Sequence, residues 1–277
     1  MRFIGVLVVL ATVGVAEAKP SNPAFLGIGM HDIGGQSQAA TGPVGPCIID
    51  TVTRGSGAKV AGLRQSDVII SFDGARVINC DAVLHVVQGH ESGDRVKIEI
   101  LRGSRPVTVT ADLWSRDEIM RRRLVGQPIV ATDLFGVDDQ RSVDLSDLRG
   151  KTAIVGWYDV RHCDGCNSVF GKLAAWTRAQ GVKTGVMPMS LAVTQGAPDQ
   201  AKQLTPIGLD VPLALADQVV YDELTVPDGE RINFMVIDCR GVVRYVAPIA
   251  PNGDDTDAAI DELFAAAEQA SRRSAKQ

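Results

Sequence analysis

The chain has 277 residues, a hydrophobic content of 45% and a formal net charge of −5 at pH 7. This length suits two domains better than one, and the apolar fraction is ordinary for proteins with packed cores. The mildly negative charge and the short basic run Arg121–Arg123 give no sign of a nucleic-acid-binding surface, so no nucleic-acid partner is expected.

Residues 1–18 have the pattern of a signal peptide. Arg2 is followed by an apolar run from Phe3 to Val15 and then by Ala16-Glu17-Ala18, a small-x-small cleavage site. The apolar run is short for a membrane span, so the mature chain is expected to have no stable span. The sequence therefore predicts cleavage after Ala18, export and a periplasmic location.

Residues 19–113 contain a series of short segments, several of which are predicted to be strands. The series begins with Leu26-Gly27-Ile28, an apolar-Gly-apolar turn. The last two segments alternate apolar and polar residues, as half-buried strands do. The segments after the turn are Pro46–Val52, Gly55–Leu63, Asp67–Gly74, Arg95–Gly103 and Pro106–Leu113. In this order they resemble a PDZ domain of the bacterial, strand-permuted kind.

The resemblance implies that this domain binds a peptide by β-augmentation. An extended or C-terminal segment of a protein partner would add a strand beside Gly27 to Met30, and backbone amides of the glycine turn would bind its terminal carboxylate. A helix that begins near Asn79 would close the groove, and Asn79 would be a polar group beside the peptide.

The pocket for the last side chain of the peptide is predicted to be apolar. Helical spacing turns Val83 and Val86 toward the groove, one turn apart. Leu26 and Ile28 would line the opposite side. The alternative, which the sequence leaves open, is that these four residues are core residues of a domain that binds nothing strongly.

Residues 114–124 are charged and show no clean apolar face, so they are predicted to form a linker. A second domain is predicted over residues 125–270, followed by a polar tail over residues 271–277. Its predicted segments are an extended hairpin at Val125–Asp144, strands at Thr152–Trp157 and Val182–Ser190, a helix at Pro198–Leu204, a hairpin of Arg231–Asp238 with Val242–Val246, and a final amphipathic helix at Asp257–Gln269.

Two cysteines separated by two residues, Cys163 and Cys166, follow the first of these strands. Residues 166–180 carry apolar side chains at helical spacing, so Cys163 is predicted at a helix start. There the unsatisfied amide groups and the positive end of the helix dipole favour a thiolate. Cys163 would attack a substrate disulfide and Cys166 would resolve the mixed disulfide. No cofactor and no resident metal is expected for this chemistry.

The strand, the cysteine pair and the later segment Met235–Gly241 resemble the redoxin branch of the thioredoxin superfamily, the secreted thiol-disulfide oxidoreductases. The resemblance implies a thioredoxin-like fold and a protein substrate that carries thiols or a disulfide. Three departures affect what it implies. His162 stands where the family usually has Trp, and no Pro lies between the cysteines. The place of the family's cis-proline falls on Ile232 or Asn233, whereas Pro227 comes several residues too early.

The residues around the cysteine pair act on the thiolate in opposite directions. Arg161 and His162 would favour it, whereas Asp164 would repel a second negative charge. Two alternatives stay open beside redox catalysis: a copper site of His162 with both cysteines, and an inert disulfide in a degenerate scaffold. A zinc site is disfavoured because two further ligands are needed. A peroxidase is disfavoured because its loop places Pro, then Thr, then the reactive Cys at fixed spacing, whereas Val160 occupies the position three before Cys163 and no proline immediately precedes it.

The remaining cysteines are Cys47, Cys80 and Cys239. In an oxidising compartment Cys47 and Cys80 form either a structural disulfide or two small buried residues. Cys239 lies in a predicted turn and is interpreted as a packed side chain, with a free thiol or an intermolecular partner as alternatives.

These patterns predict an exported protein in which a PDZ-like domain recruits a protein partner and a thioredoxin-like domain exchanges disulfides with it through Cys163 and Cys166. Tethering would raise the local concentration of the substrate. The alternative from another class is a non-catalytic periplasmic adaptor. The predicted fold class is α+β for the first domain, a partly open β-barrel or sandwich with two helices, and α/β for the second, a mixed sheet flanked by helices.

Overall fold

The structure is a computed structural model that describes residues 23–33, 46–129, 133–136, 142–159, 165–193, 213–216, 224 and 231–274. The predicted signal peptide, the predicted helix at Pro198–Leu204 and Pro227 lie outside the described residues. Cys163, Arg161, His162 and Asp164 lie outside them as well. Among the residues that are described, no helix combines the length and the apolar character needed to cross a membrane.

The first sheet is antiparallel and open. Its strand order is β1-β2-β3-β5-β6, and β4 pairs with β3. The elements are β1 Ile28–Asp32, β2 Cys47–Val52, α1 Gly57–Val60, β3 Val68–Phe72, β4 Ala75–Arg76, α2 Cys80–Gln88, β5 Arg95–Arg102 and β6 Arg105–Asp112. The predicted strands and both predicted helices are therefore confirmed.

The alternation in the sequence of β5 has the expected cause. Val96, Ile98 and Ile100 are fully buried, whereas Arg95 and Lys97 face outward, because successive side chains of a strand point to opposite faces. The buried side joins a core that also contains Leu26 and Val83. Burying a side chain of this kind contributes roughly 1.5–3 kcal/mol, so this face fixes which side of the sheet the helices cover.

The second sheet is mixed, with the strand order β13-β12-β9-β10-β11-β7-β8. Its strands are β7 Asp133–Gly136, β8 Ser142–Asp144, β9 Thr152–Asp159, β10 Val186–Val193, β11 Leu213–Ala216, β12 Ile232–Ile237 and β13 Val243–Ile249. The helices of this region are α3 Arg116–Leu124, α4 Cys166–Trp176, the short α5 Val182–Thr184 and α6 Thr256–Ser274.

The connections match the predicted thioredoxin-like arrangement. Strand β9 leads through α4 to β10, which lies parallel to it. The hairpin of β12 and β13 pairs antiparallel with the other edge of β9. Helix α6 follows this hairpin and covers one face of the sheet, together with α4. The predicted mixed sheet flanked by helices is confirmed.

Strand β9 reads as a continuous apolar run because both of its faces are covered. Ile154 and Tyr158 pack with α4 and α6 on one face. Val155 and Trp157 pack on the other face, with Met120 of α3 in the same cluster. The central strand of the sheet therefore ends at a point that is enclosed on two sides.

Helix α3 lies in the segment that was predicted to be a linker. Ser115 caps it by accepting a hydrogen bond from the N–H of Glu118 at 3.2 Å. Met120 and Leu124 belong to the core of the second region. Ile119 is fully buried, and its backbone oxygen lies close to Gly55 of the first region. A Cβ added at Gly55 would be 3.5 Å from this oxygen. A helix that packs on two different partners has no single apolar face, which is why its sequence shows none.

Candidate peptide groove and redox site

The candidate groove lies between β1 and α2. Strand β1 is an edge strand, and among the described strands it pairs with β2 alone. Ile28 and Met30 are partly buried on the side of the strand that joins the apolar core. Val83 and Val86 of α2 belong to the same cluster. An unpaired strand edge beside an apolar helix can accept an added strand.

Backbone hydrogen bonds to its carbonyl oxygens hold the glycine turn before β1 in place. The carbonyl oxygens of Leu26 and Gly27 accept hydrogen bonds from the amides of Ala58 and Thr53, at 3.1 and 2.9 Å. No hydrogen bond found among the described residues uses the N–H group of Leu26 or Gly27 as donor. Two neighbouring amides of this kind can bind a carboxylate.

Both the backbone conformation and the lack of room for a side chain require glycine at position 27. Its φ is +83°, and an added Cβ would lie 2.2 Å from the Cβ of Ser56. Ser56 is itself fully buried and donates a hydrogen bond to the oxygen of Thr53 at 2.7 Å. A substitution at Gly27 would therefore disturb the domain as a whole, so the groove must be tested at other positions.

Asn79 has a structural task in this arrangement. It is the N-cap of α2, and its side-chain oxygen accepts a hydrogen bond from the N–H of Ala82 at 3.0 Å. That oxygen is therefore engaged within the helix. The predicted role of Asn79 as a polar group that reads the peptide stays a prediction.

A disulfide ties this helix to the sheet. Cys80, the first residue of α2, is bonded to Cys47 of β2, and both side chains are buried. Asp32, at the end of β1, accepts a hydrogen bond from the N–H of Cys80 at 2.6 Å. The ligand atoms of these three residues lie within 4.8 Å of one another, but sulfurs that are bonded to each other offer no thiolate to a metal.

The candidate redox site lies where β9 leads into α4. The described part of this helix begins at Cys166, which is 1% exposed and disulfide-bonded. Cys166 packs in one apolar cluster with Tyr158, Phe170 and Ile232. Only the short segment 160–164 separates the end of β9 from Gly165. The sulfur of Cys166 is thus held by packing at the end of a central strand.

Gly165 precedes the helix with a φ of +85°. A Cβ added there would lie 2.7 Å from the side-chain oxygen of Asn252. The loop that follows β13 therefore lies directly against the cysteine segment. Only glycine fits this position, so the second residue between the cysteines is determined by close approach of another loop.

The two residues at the place of the cis-proline lie within β12. Ile232 and Asn233 are both buried, and Asn233 lies opposite Trp157 of β9. Over the described residues, no peptide bond is cis. Ile232 shares the apolar cluster of Cys166, so this position lies close to the second cysteine.

Cys239 lies in the turn between β12 and β13, at the opposite end of β12 from Ile232. It is a free cysteine of intermediate exposure, and its carbonyl oxygen accepts a hydrogen bond from Gly150 at 2.7 Å. The turn is held by Asp238, which binds the N–H groups of Arg240 and Val242. These contacts place the free thiol in a structural turn.

Comparison with known proteins identifies the first region. Residues 24–113 match the family described as "PDZ domain". Proteins named DegP-like periplasmic serine endoproteases are 35% identical over 94 residues in Chlamydia trachomatis and 34% identical over 92 residues in Chlamydia muridarum. Each alignment covers 31% of this chain and 18% of the relative, so the chain spans less than a fifth of the length of these proteins.

One solved structure illustrates the similarity of each region to known folds. The HtrA3 PDZ domain bound to a phage-derived ligand is 19% identical, with a TM-score of 0.27, and the match covers 32% of this chain and 84% of that one. The thioredoxin domain of a thiol-disulfide oxidoreductase from Bacteroides vulgatus is 16% identical, with a TM-score of 0.39, and covers 50% of this chain and 96% of that one. The family match identifies residues 24–113 as a PDZ domain, and the second region has the strand order of a thioredoxin-like mixed sheet.

Proposed function

We propose that this protein is a periplasmic thiol-disulfide oxidoreductase that recruits a protein partner through its PDZ domain and exchanges disulfides with it through Cys163 and Cys166. The observation that carries the proposal is the state of Cys166. It is buried, disulfide-bonded and the first described residue of a helix that follows the central strand β9.

The partner of Cys166 in this proposal is Cys163. The chain has five cysteines, of which Cys47 and Cys80 are bonded to each other and Cys239 is free. A disulfide between residues separated by only two others closes a very short loop. Such a bond can open and close without unfolding the domain, which is what an exchange reaction requires.

The proposed reaction has two steps. In the reduced protein the thiolate of Cys163 attacks one sulfur of a substrate disulfide, forms a mixed disulfide and releases the other substrate sulfur as a thiolate. Cys166 then attacks the sulfur of Cys163, so the second substrate sulfur leaves as a thiolate and the protein is left oxidised. The reverse sequence oxidises a substrate dithiol. Arg161 and His162 would favour the thiolate of Cys163, and Asp164 would oppose it.

Recruitment by the PDZ domain would supply the substrate. Two observations on the part of the chain that the structure describes support binding of a C-terminal segment: β1 pairs with β2 alone, and the amides of Leu26 and Gly27 donate no hydrogen bond. Binding at one domain raises the concentration of the attached disulfide at the other. The substrate class is therefore a protein that carries both an accessible C-terminus and a disulfide or dithiol.

The experiment is trapping with Cys166→Ser, in which the mixed disulfide at Cys163 cannot be resolved. We expect a covalent complex that dithiothreitol releases and that Cys163→Ser abolishes. We also expect wild-type protein to accelerate insulin reduction by dithiothreitol, and Cys166→Ser to fall to the rate of dithiothreitol alone. Wild type and Cys166→Ser with equal rates, and no trapped complex, would instead support a non-catalytic adaptor.

A further inference from the structure

The ion pair between Asp117 and Arg231 joins helix α3 to the start of β12. Two hydrogen-bonded contacts form it, at 2.8 and 3.1 Å between the guanidinium nitrogens and the carboxylate oxygens. The side chains are 31% and 25% exposed, so the pair is partly removed from water. Paired contacts of this kind fix orientation as well as distance.

Arg231 lies at the end of the sheet that carries the cysteine pair. It immediately precedes Ile232, which shares an apolar cluster with Cys166. The register between β12 and β9 pairs Asn233 with Trp157. Continued by two residues, this register places Arg231 opposite Asp159, the last residue of β9 before the cysteine segment. Arg231 therefore lies beside the end of β9 from which the cysteine segment continues.

Asp117 is fixed from the other side by the packing of α3. It lies in the first turn of the helix, where a carboxylate is favoured by the helix dipole. Met120 is 2% exposed in the core that also contains Trp157 and Met235. After the helix, Gly126 donates a hydrogen bond to the oxygen of Val243 at 2.8 Å. The helix cannot shift without breaking these contacts, so Asp117 is a firm anchor for Arg231.

We propose that Asp117 and Arg231 are positioning residues of the redox site. Asp117, carried by the helix between the two regions, fixes Arg231 and thereby the backbone that leads into β12 beside Cys166. This inference rests on the proposed function. It assigns to the predicted linker a task in disulfide exchange, because a displacement of about 1 Å near reacting groups can cost about 100-fold in rate.

The test uses the full chain with Asp117→Asn, Arg231→Gln and the exchanged pair Asp117→Arg/Arg231→Asp. Glu118→Gln is the matched control, because it removes a carboxylate from the next position of α3, where Glu118 contacts Arg121 and Arg122 instead. The measurements are kcat and KM for insulin reduction by dithiothreitol, together with the equilibrium of the cysteine pair with glutathione.

Each single substitution is expected to raise KM for insulin about 3- to 10-fold with little change in the glutathione equilibrium, since the geometry of approach changes and the sulfurs do not. The exchanged pair is expected to recover most of the loss, and Glu118→Gln to match wild type. An unchanged KM in both single variants, or an exchanged pair as impaired as they are, would overturn the proposal.

A second measurement separates this inference from the proposed function. If wild type reduces insulin no faster than Cys166→Ser, the proposed function has failed. Hydrogen exchange of the amides of residues 232–235 then decides whether the ion pair fixes the start of β12, independently of redox activity. Exchange that is about 10-fold faster in Asp117→Asn than in Glu118→Gln supports it, and equal exchange in the two variants overturns it.

Discussion

Helices α2 and α4 both begin at a buried, disulfide-bonded cysteine, yet the two cysteines have different surroundings. Cys80 is bonded to Cys47, 33 residues earlier in the chain and in a strand of the sheet. The first amides of α2 are already used, by Asp32 and by Asn79. The bond closes a long loop inside a core, which makes it a structural crosslink.

The start of α4 has a different cap. Its N-cap is Gly165, which supplies no side-chain hydrogen bond to the helix. The partner that we propose for Cys166 is only three positions away, in the segment between the central strand and the helix. A cysteine at a helix start is therefore not enough to predict redox chemistry. In the proposed arrangement, the short loop and the glycine N-cap distinguish the disulfide of Cys166 from the crosslink of Cys47 and Cys80.

Reducibility should separate the two disulfides most strongly. In redox buffers of graded dithiothreitol, we expect the disulfide of Cys166 to open at a reductant ratio at least about 100-fold lower than that of Cys47–Cys80. The reason is that Cys47 and Cys80 are both buried in the core, whereas attack at Cys163 requires no unfolding in the proposed arrangement. Alkylation of the freed thiols and mass spectrometry of the peptides give both midpoints. If the two disulfides opened together, the disulfide of Cys166 would be a structural crosslink like that of Cys47 and Cys80.

The structural disulfide should matter for stability. Cys47→Ala/Cys80→Ala is expected to lower the free energy of unfolding of the PDZ domain by about 4 kcal/mol, because the loop of 33 residues is no longer closed in the unfolded chain. Urea unfolding, followed for the full chain, measures this. The matched control is Cys239→Ser, which removes a free thiol of intermediate exposure and should change stability by less than about 0.5 kcal/mol. A similar loss in both variants would contradict the expectation.

Helix α2 can also be tested as a wall of the groove. Val86→Glu puts a charge among Ile28, Met30 and Val83 and is expected to weaken binding of a peptide with an apolar C-terminus about 10-fold or more. Leu84→Glu is the control, since Leu84 is 49% exposed on the same helix. Fluorescence anisotropy with a labelled peptide measures the affinity, and an amidated peptide tests the carboxylate. Equal affinities in the two variants would argue that the apolar residues serve only the core.

The two regions should differ in how much stability they lose when the pH falls. Burial by itself would raise the pKa of Asp238, but hydrogen bonds from the amide of Val242, the guanidinium of Arg244 and the amide of Arg240 outweigh it and hold the pKa below its ordinary value. A group with a lowered folded pKa stabilises the protein above its unfolded pKa, and this contribution is lost as the pH falls through the folded pKa.

Asp238→Asn is therefore expected to cost about 1–2 kcal/mol at neutral pH and much less in acid. Asp112→Asn is the control in the PDZ domain, where Asp112 pairs with an Arg95 side chain that is 71% exposed, and exposed pairs contribute little. Thermal unfolding at several pH values measures both. A penalty for Asp238→Asn that did not shrink with falling pH would show that the carboxylate's charge is not what holds the turn.

Much of the fold could be predicted because burial leaves a periodic record in the sequence. The alternation in β5 and the continuous apolar run of β9 identified strands of two kinds, half-buried and fully buried. The predicted start of β10 was less accurate. The strand begins at Val186 instead of the predicted Val182, because a π-helical turn and α5 extend the helix to Gly185, whose φ is +67°. A glycine that ends a helix in this way is a signal that could have been used.

The sequence predicted which apolar residues lie together at the candidate groove, and it did not predict the contacts that support them. Leu26, Ile28, Val83 and Val86 do fall in one apolar cluster. No sequence pattern connected Asp32 to Cys80, which lie 48 residues apart and meet through a hydrogen bond. Contacts of this kind depend on how distant segments are brought together, and local periodicity carries no information about them.

The sequence by itself determined most of the strands and helices, because burial repeats every second residue in a strand and every third or fourth residue in a helix. The glycine turn beside an apolar helix followed from the resemblance to PDZ domains. The tertiary structure alone decided what the charged segment between the domains does. Helix α3 shows no apolar face since it is buried on two sides by two different partners, and the contact between Asp117 and Arg231 joins residues 114 positions apart. Such a contact arises only when helix α3 has packed on the second region.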